Sequence, residues 1–130
     1  MSAREAINPG WNYDRLTYSP AIRTGNTIYL SGFTSVDEFG DLVGRGDIVA
    51  QARYIYEKIG KVLAAAGASF DDVVLTREYV TTLEGYREVG HVRREVLKEP
   101  FPAATGVVVA GLVREHALIE VEAVAVVDGE

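Results

Sequence analysis

The chain has 130 residues, enough for one domain with a single core but too few for a large second lobe. Its net charge of −6 argues against nucleic-acid binding, which usually leaves a basic footprint. Cysteine is absent, which excludes disulfides, thiol catalysis and cysteine–zinc sites. No run of residues approaches the length of a membrane span, and the N-terminal segment has no secretory apolar core, so we expect a cytoplasmic protein.

The first half of the chain predicts two strands followed by a helix. A short strand over 17–22 is interrupted by Pro20, and a β-branched and aromatic strand follows over 27–33. A loop or irregular hairpin then covers 35–46. Helical spacing of apolar residues predicts a helix of about five turns that begins at the N-cap Asp47 and ends before Gly67. Its apolar stripe contains Ile48, Ala52, Ile55, Ile59, Val62, Leu63 and Ala66.

The second half predicts a strand, a second helix and two terminal strands. The strand covers 73–80. Thr81 and Glu84 have the spacing of a capping box, which predicts that the second helix starts there and ends at Pro100. Its apolar stripe contains Leu83, Tyr86, Val89, Val92, Val96 and Leu97. The last two strands lie between Phe101 and Val127, on either side of a turn at 114–116.

This order of elements predicts an α+β fold, a two-layer sandwich in which both helices cover one face of the sheet. We expect a single domain over residues 1–130. Two helices cannot cover both faces, so the second face needs another cover. We therefore expect a homo-oligomer in which a partner subunit covers it.

The last strand carries two acids on an otherwise apolar face. Alternation places Ile119 and Val121 on one face and Glu120 and Glu122 on the other, together with Leu118. Carboxylates among apolar neighbours are costly unless they are paired, hydrated or at an interface. These two acids are therefore the first candidates for chemistry. The alternative is that they lie on an exposed face without a role.

Other motifs in the chain have simpler explanations. The glycines at 40–46 are not followed by a phosphate-binding Gly-Lys-Ser/Thr and match no dinucleotide fingerprint, so we interpret them as a loop. His91 and His116 do not have metal-ligand spacing, and no nucleophile elbow is present. Basic residues at 87–98 alternate with glutamates, which is typical of a solvated helix face.

A site built from a carboxylate, hydroxyls and backbone groups remains. A carboxylate in a partly apolar cleft has a raised pKa and can act as a general acid or base, and Glu120 could hold or activate a water. Ser31 and Tyr18 could orient polar substrate atoms. The backbone at Gly32 and Gly106 could approach a ligand closely because glycine leaves room. No cofactor or metal is expected.

From residue 18 to 127 the chain resembles the RidA/YjgF family of small trimeric proteins. The segments that carry the resemblance are Tyr18-Ser-Pro-Ala-Ile, Gly25-Asn26, Ile28-Tyr-Leu-Ser-Gly32, Ile48, Gln51-Ala52, Ala65-Ala-Gly-Ala-Ser-Phe-Asp-Asp-Val73, Phe101-Pro-Ala103 and Ile119-Glu-Val-Glu-Ala123. The resemblance implies a chorismate-mutase-like fold, a homotrimer and sites in the clefts between subunits.

The same resemblance implies hydrolysis of imines or enamines, with Glu120 positioning the water. In the best-known branch an arginine after the Pro-Ala pair binds the substrate carboxylate, whereas this chain has Ala104. Gly90 stands where that branch often has an asparagine. Both changes enlarge the cleft, which Tyr86 is also expected to line. We therefore expect a substrate other than a small 2-imino acid. Of the nearby arginines Arg93, Arg94 and Arg114, each is expected in a surface salt bridge rather than as a replacement.

Two alternatives stay open beside the hydrolase. A non-catalytic trimer could bind or sense a small molecule in the same cleft. The older ribonuclease description of the family is a third possibility, and the net charge of −6 argues against it.

Overall fold

A computed structural model describes residues 3–128. In chain order the elements are β1 (Glu5–Ile7), β2 (Ala21–Thr24), β3 (Thr27–Phe33), α1 (Ile48–Ala65), a 3-10 turn (Phe70–Asp72), β4 (Val73–Val80), α2 (Tyr86–Val96), β5 (Ala103–Val108) and β6 (Ile119–Val126). The strands form one six-stranded sheet in the order β1-β2-β3-β6-β4-β5. The sheet is mixed, because β4 and β5 run parallel whereas the other neighbours are antiparallel.

The core lies between the sheet and the two helices, which pack against each other on the same face. The apolar stripe of α1 is buried against Ile119, Val121, Ala123 and Ala125 of β6. This confirms the α+β two-layer fold. Among residues 3–128, neither helix has the length and hydropathy needed to cross a bilayer.

The N-cap of α1 is the predicted one. The Asp47 carboxylate accepts hydrogen bonds from the backbone N–H groups of Val49 and Ala50, each at 3.1 Å. These two donors are among the four that a helix cannot satisfy internally. The cap fixes where α1 begins after the glycine-containing loop.

Replacing Asp47 with alanine is expected to lower the free energy of unfolding by about 1 kcal/mol, because both N–H groups lose their acceptor. Urea denaturation followed by circular dichroism measures this change. Asp71→Ala is the matched control, since Asp71 is exposed and its side chain caps no helix. An equal loss in both variants would contradict the capping role.

In the N-terminal strands one prediction was wrong and one strand was missed. The predicted strand at 17–22 is displaced to β2 at Ala21–Thr24. Proline has no N–H to donate, and Pro20 instead accepts from the Ser31 N–H just before the strand begins. The three-residue strand β1 was not predicted, because so short a segment has no measurable alternation. It pairs with β2 at the edge of the sheet.

The predicted capping box at the start of α2 was also wrong. The Thr81 N–H donates to the Leu118 carbonyl at 3.0 Å, so Thr81 still belongs to the hydrogen bonding at the end of the sheet. The Glu84 N–H is bonded instead to the side chain of Thr82. The helix begins at Tyr86, after Gly85 with φ 76°, a conformation that favours glycine.

Candidate functional site

The face of the sheet opposite the helices carries the two acids of β6. Ile119, Val121 and Ala123 are buried under the helices, whereas Glu120 and Glu122 are only half-buried on the open face. The predicted alternation is therefore confirmed. Apolar side chains lie around the acids on this face, among them Tyr29, Leu75, Val124 and Val126.

The two carboxylates have different surroundings. Glu122 accepts a hydrogen bond from the Tyr79 hydroxyl and pairs with Arg77 at 3.3 Å. Within residues 3–128, no hydrogen bond or ion pair to the Glu120 carboxylate is found. Glu122 is thus held in place by its neighbours, while the oxygens of Glu120 remain available for a water or a ligand.

The surroundings of Glu120 raise the pKa of its carboxyl group. Partial burial raises the pKa of the Glu120 carboxyl, and the nearby negative charge of Glu122 raises it further. A carboxylate with a raised pKa is a stronger base when ionised and is also a usable acid. The electrostatics of the open face therefore suit Glu120 to proton transfer.

A β-bulge places the backbone of β3 against Glu120. The register between β3 and β6 shifts between Leu30 and Phe33, so the bulge contains Ser31 and Gly32. A Cβ on Gly32 would overlap the Glu120 carboxylate, so only glycine allows this close approach. Bulges of this kind occur often beside active sites, where they redirect the backbone.

Ser31 of the bulge is bonded to the chain segment that contains Tyr18. The Ser31 hydroxyl donates to the Ser19 carbonyl at 2.6 Å, which ties β3 to the segment before β2. That segment lines a surface depression of about 340 Å³, to which Tyr18 contributes. Tyr18 is 56% exposed and packs edge-on against Tyr13. Ser31 and Gly32 thus lie beside Glu120, whereas Tyr18 lies in the depression lined by the segment that Ser31 bonds.

The remaining predicted site residues form a second group, at the β5 edge. Gly106 is in register with Glu78, and a Cβ on Gly106 would overlap the Tyr86 hydroxyl. Ala104, two residues earlier on the same face, is in register with Thr76. Every residue of β5 is exposed, and the space beside Gly90 on α2 is open.

A buried polar cluster that the sequence did not predict lies behind this second group. Glu78 is 4% exposed and accepts hydrogen bonds from the hydroxyls of Tyr56 and Tyr86. Arg93 pairs with Glu78 at 3.0 Å and also donates to Thr76 at 2.9 Å. The available signal was Glu78 itself, because it shares the inward face of β4 with Val80.

The expected roles of three arginines need correction. Arg93 is not in a surface salt bridge, because its partner Glu78 is buried and only 20% of the Arg93 side chain is exposed. Arg94 lies over the Phe101 ring at 5.7 Å. Arg114 donates to the Gly40 carbonyl at 2.8 Å. Position within an amphipathic helix does not distinguish an arginine that reaches inward from one that stays at the surface.

The predicted site residues therefore divide between two faces of the sheet. The group around Glu120 is on the open face, whereas Tyr86, Ala104 and Gly106 are on the helix face at the β5 edge. One subunit does not bring the two groups into one pocket. Within residues 3–128 no group of three potential metal ligands is found, and His116 contacts Arg45 in a turn.

Comparison with known proteins shows the family to which the chain is related. Residues 13–127 match the sequence family described as Endoribonuclease L-PSP. The chain is 38% identical over 108 residues to the 3-aminoacrylate deaminase RutC of Acinetobacter baylyi, covering 83% of this chain and 85% of the relative. It belongs to the RidA/YjgF family.

Further members of this family agree in sequence and in fold. The human 2-iminobutanoate/2-iminopropanoate deaminase is 31% identical over 109 residues, covering 84% of this chain and 79% of the human protein. The crystal structure of RidA from Psychrobacter sp. PAMC 21119 superimposes with a TM-score of 0.84 at 32% identity, covering 95% of this chain and 99% of that one. The relatives of this RidA/YjgF member therefore include named deaminases.

Proposed function

We propose that this RidA/YjgF member hydrolyses the C–N bond of an imine or enamine and that Glu120 positions the water. The observation that carries the proposal is the Glu120 carboxylate, which has no partner within residues 3–128 and lies directly against the Gly32 backbone. Its raised pKa suits a proton-transfer role. The named activities of the relatives support the reaction class.

In the proposed reaction, Glu120 removes a proton from water as the water oxygen bonds to the imine carbon. The C=N π electron pair moves to nitrogen, which takes that proton back from Glu120 and gives a neutral carbinolamine. Glu120 then accepts the carbinolamine hydroxyl proton and passes it to nitrogen, the oxygen electron pair forms the C=O bond, and the C–N electron pair leaves with ammonia. The product is the corresponding carbonyl compound. An enamine enters the same sequence after protonation at carbon, for which protonated Glu120 can serve.

We further propose a homotrimer with its sites between subunits. The open face carries half-exposed apolar side chains around Glu120, and residues 3–128 supply no layer over them. The second group of site residues lies on the other face, so a single pocket containing both groups needs two copies of the chain. Light scattering should give three times the chain mass of 14.1 kDa, and a monomer would contradict the assembly.

The substrate is proposed to differ from small 2-imino acids, because Ala104 supplies no guanidinium for a carboxylate. Ammonia release from a panel of imines and enamines, both with and without a carboxylate, tests the activity. Native protein that releases no ammonia from any of them would favour the alternative, a trimer that only binds a small molecule. Release that survives Glu120→Gln would contradict the proposed mechanism.

Gly32→Ala is expected to reduce kcat/KM about 100-fold, because the new Cβ displaces the Glu120 carboxylate from its position. Steady-state ammonia release measures the effect. Gly111→Ala is the matched control, since a Cβ there has open space. Comparable losses in the two variants would show that the contact with Glu120 is not the cause.

A further inference from the structure

The Tyr86 hydroxyl at the β5 edge has a fixed hydrogen-bond direction. It lies 2.7 Å from Oε1 of Glu78. The Tyr86 hydroxyl donates this bond, so the tyrosine proton points to Glu78. Burial and the bond to Glu78 both raise the pKa of Tyr86, which keeps the hydroxyl protonated. The remaining lone pair of the phenol oxygen is therefore an acceptor.

The missing side chain of Gly106 makes room for that acceptor beside the backbone of β5. A Cβ on Gly106 would overlap the Tyr86 oxygen, which thus occupies the space directly over the exposed glycine backbone. Tyr86 itself is only partly buried. A ligand lying along Ala104 and Gly106 would therefore lie next to the phenol oxygen.

The two charged side chains beside Tyr86, Glu78 and Arg93, form an ion pair. The negative charge of Glu78 is paired with Arg93 at 3.0 Å, and the Arg93 Nη1 atom makes the contacts to Glu78, Thr76 and Tyr56. Arg93 is therefore committed to the cluster and adds no net positive charge. Ala104 adds none either. A carboxylate at this position would face a lone pair of the phenol oxygen, which cannot donate a hydrogen bond to offset the desolvation of the carboxylate.

We propose that Tyr86, positioned by Glu78 and Arg93, is a specificity-determining contact that accepts a hydrogen bond from an uncharged donor group of the substrate, an amide or a hydroxyl, and disfavours a carboxylate there. This rests on the proposed function for the location of the substrate, because it places the substrate at the β5 edge. The proposal adds the chemical class of the substrate group that lies where the carboxylate of a small 2-imino acid would otherwise bind. Tyr86 touches the substrate, whereas Glu78 and Arg93 are positioning residues.

Two probes of matched shape test this without turnover. 2-Oxobutanamide and 2-oxobutanoate share a carbon skeleton and differ in the amide or carboxylate group. Calorimetric titration of the native protein should show that the amide binds at least about tenfold more tightly, the effect of one well-made hydrogen bond. Equal binding, tighter binding of the carboxylate, or no binding of either probe at millimolar concentration would overturn the proposal.

Variants separate recognition from stability. Tyr86→Phe should weaken amide binding about tenfold and leave carboxylate binding unchanged, whereas a merely structural role would weaken both equally. Tyr54 of α1 lies near Asp37, Glu38 and Glu57 and not in the Glu78 cluster, so Tyr54→Phe is the matched control and should change neither. Ala104→Arg should reverse the preference in favour of the carboxylate. An unchanged ratio of the two dissociation constants in Tyr86→Phe would overturn the proposal.

These experiments distinguish a failure of the proposed specificity contact from a failure of the proposed hydrolase activity. If the amide is preferred and no imine releases ammonia, the specificity contact stands and the proposed hydrolase activity fails. If imines are hydrolysed but the carboxylate probe binds equally well or better, the hydrolase stands and the specificity contact fails.

Discussion

Glu78→Leu is expected to destabilise the fold by about 3–5 kcal/mol, because it leaves the Arg93 guanidinium partly buried without its counter-ion. The two tyrosine hydroxyls that donate to Glu78 also lose their acceptor. Urea denaturation gives the free energy of unfolding. The slope of this free energy against urea concentration should equal that of the native protein if the variant still unfolds in two states.

The double variant Glu78→Leu/Arg93→Met separates the cost of an unpaired charge from the cost of lost packing. Replacing both charges with apolar side chains of similar volume should recover the part of the loss that the unpaired charge causes, whereas the part due to the tyrosine hydroxyls that lose their acceptor should remain. The exposed pair Arg53–Glu95, with side chains 46% and 52% exposed, is the control. Glu95→Ala should cost no more than about 1 kcal/mol. A comparable loss at Glu95 and Glu78 would contradict the distinction between the pairs.

The elements that the sequence predicted best are those in which local pattern and tertiary packing agree. The apolar stripe of α1, its cap at Asp47 and the alternation along β6 follow directly from the order of residues. The start of α2 did not follow, because the bond from Thr81 to Leu118 joins residues far apart in sequence. Local capping signals cannot anticipate a competing partner of that kind.

The sequence predicted only part of the candidate site. The alternation of β6 and the resemblance indicated Glu120, but the difference between Glu120 and Glu122 depends on Arg77 and Tyr79 across the sheet. The cluster around Glu78 depends on α1, β4 and α2 packing together. Apart from Glu78 on the inward face of β4, its members follow ordinary sequence patterns. Their combination becomes visible only when the register and the helix positions are known.

Glu120→Gln is expected to reduce kcat/KM by about 10²–10⁴-fold, the usual contribution of a positioned general base. Glutamine keeps the size of the side chain but cannot accept the proton from water. The variant should fold normally. Because the folded-state pKa of Glu120 is raised, its ionised form opposes folding above that pKa, so removing the charge does not destabilise the protein at neutral pH.

The pH profile provides the sharper test of Glu120. Since the base must be ionised, kcat/KM should fall as the pH falls through the raised pKa of Glu120. Glu122→Gln removes the neighbouring charge that contributes to the shift and should move the midpoint to lower pH. Glu115→Gln, at a side chain that is 87% exposed, is the matched control and should leave the midpoint unchanged. A midpoint that does not respond to Glu122→Gln would assign the titration to another group and remove Glu120 from the role of base.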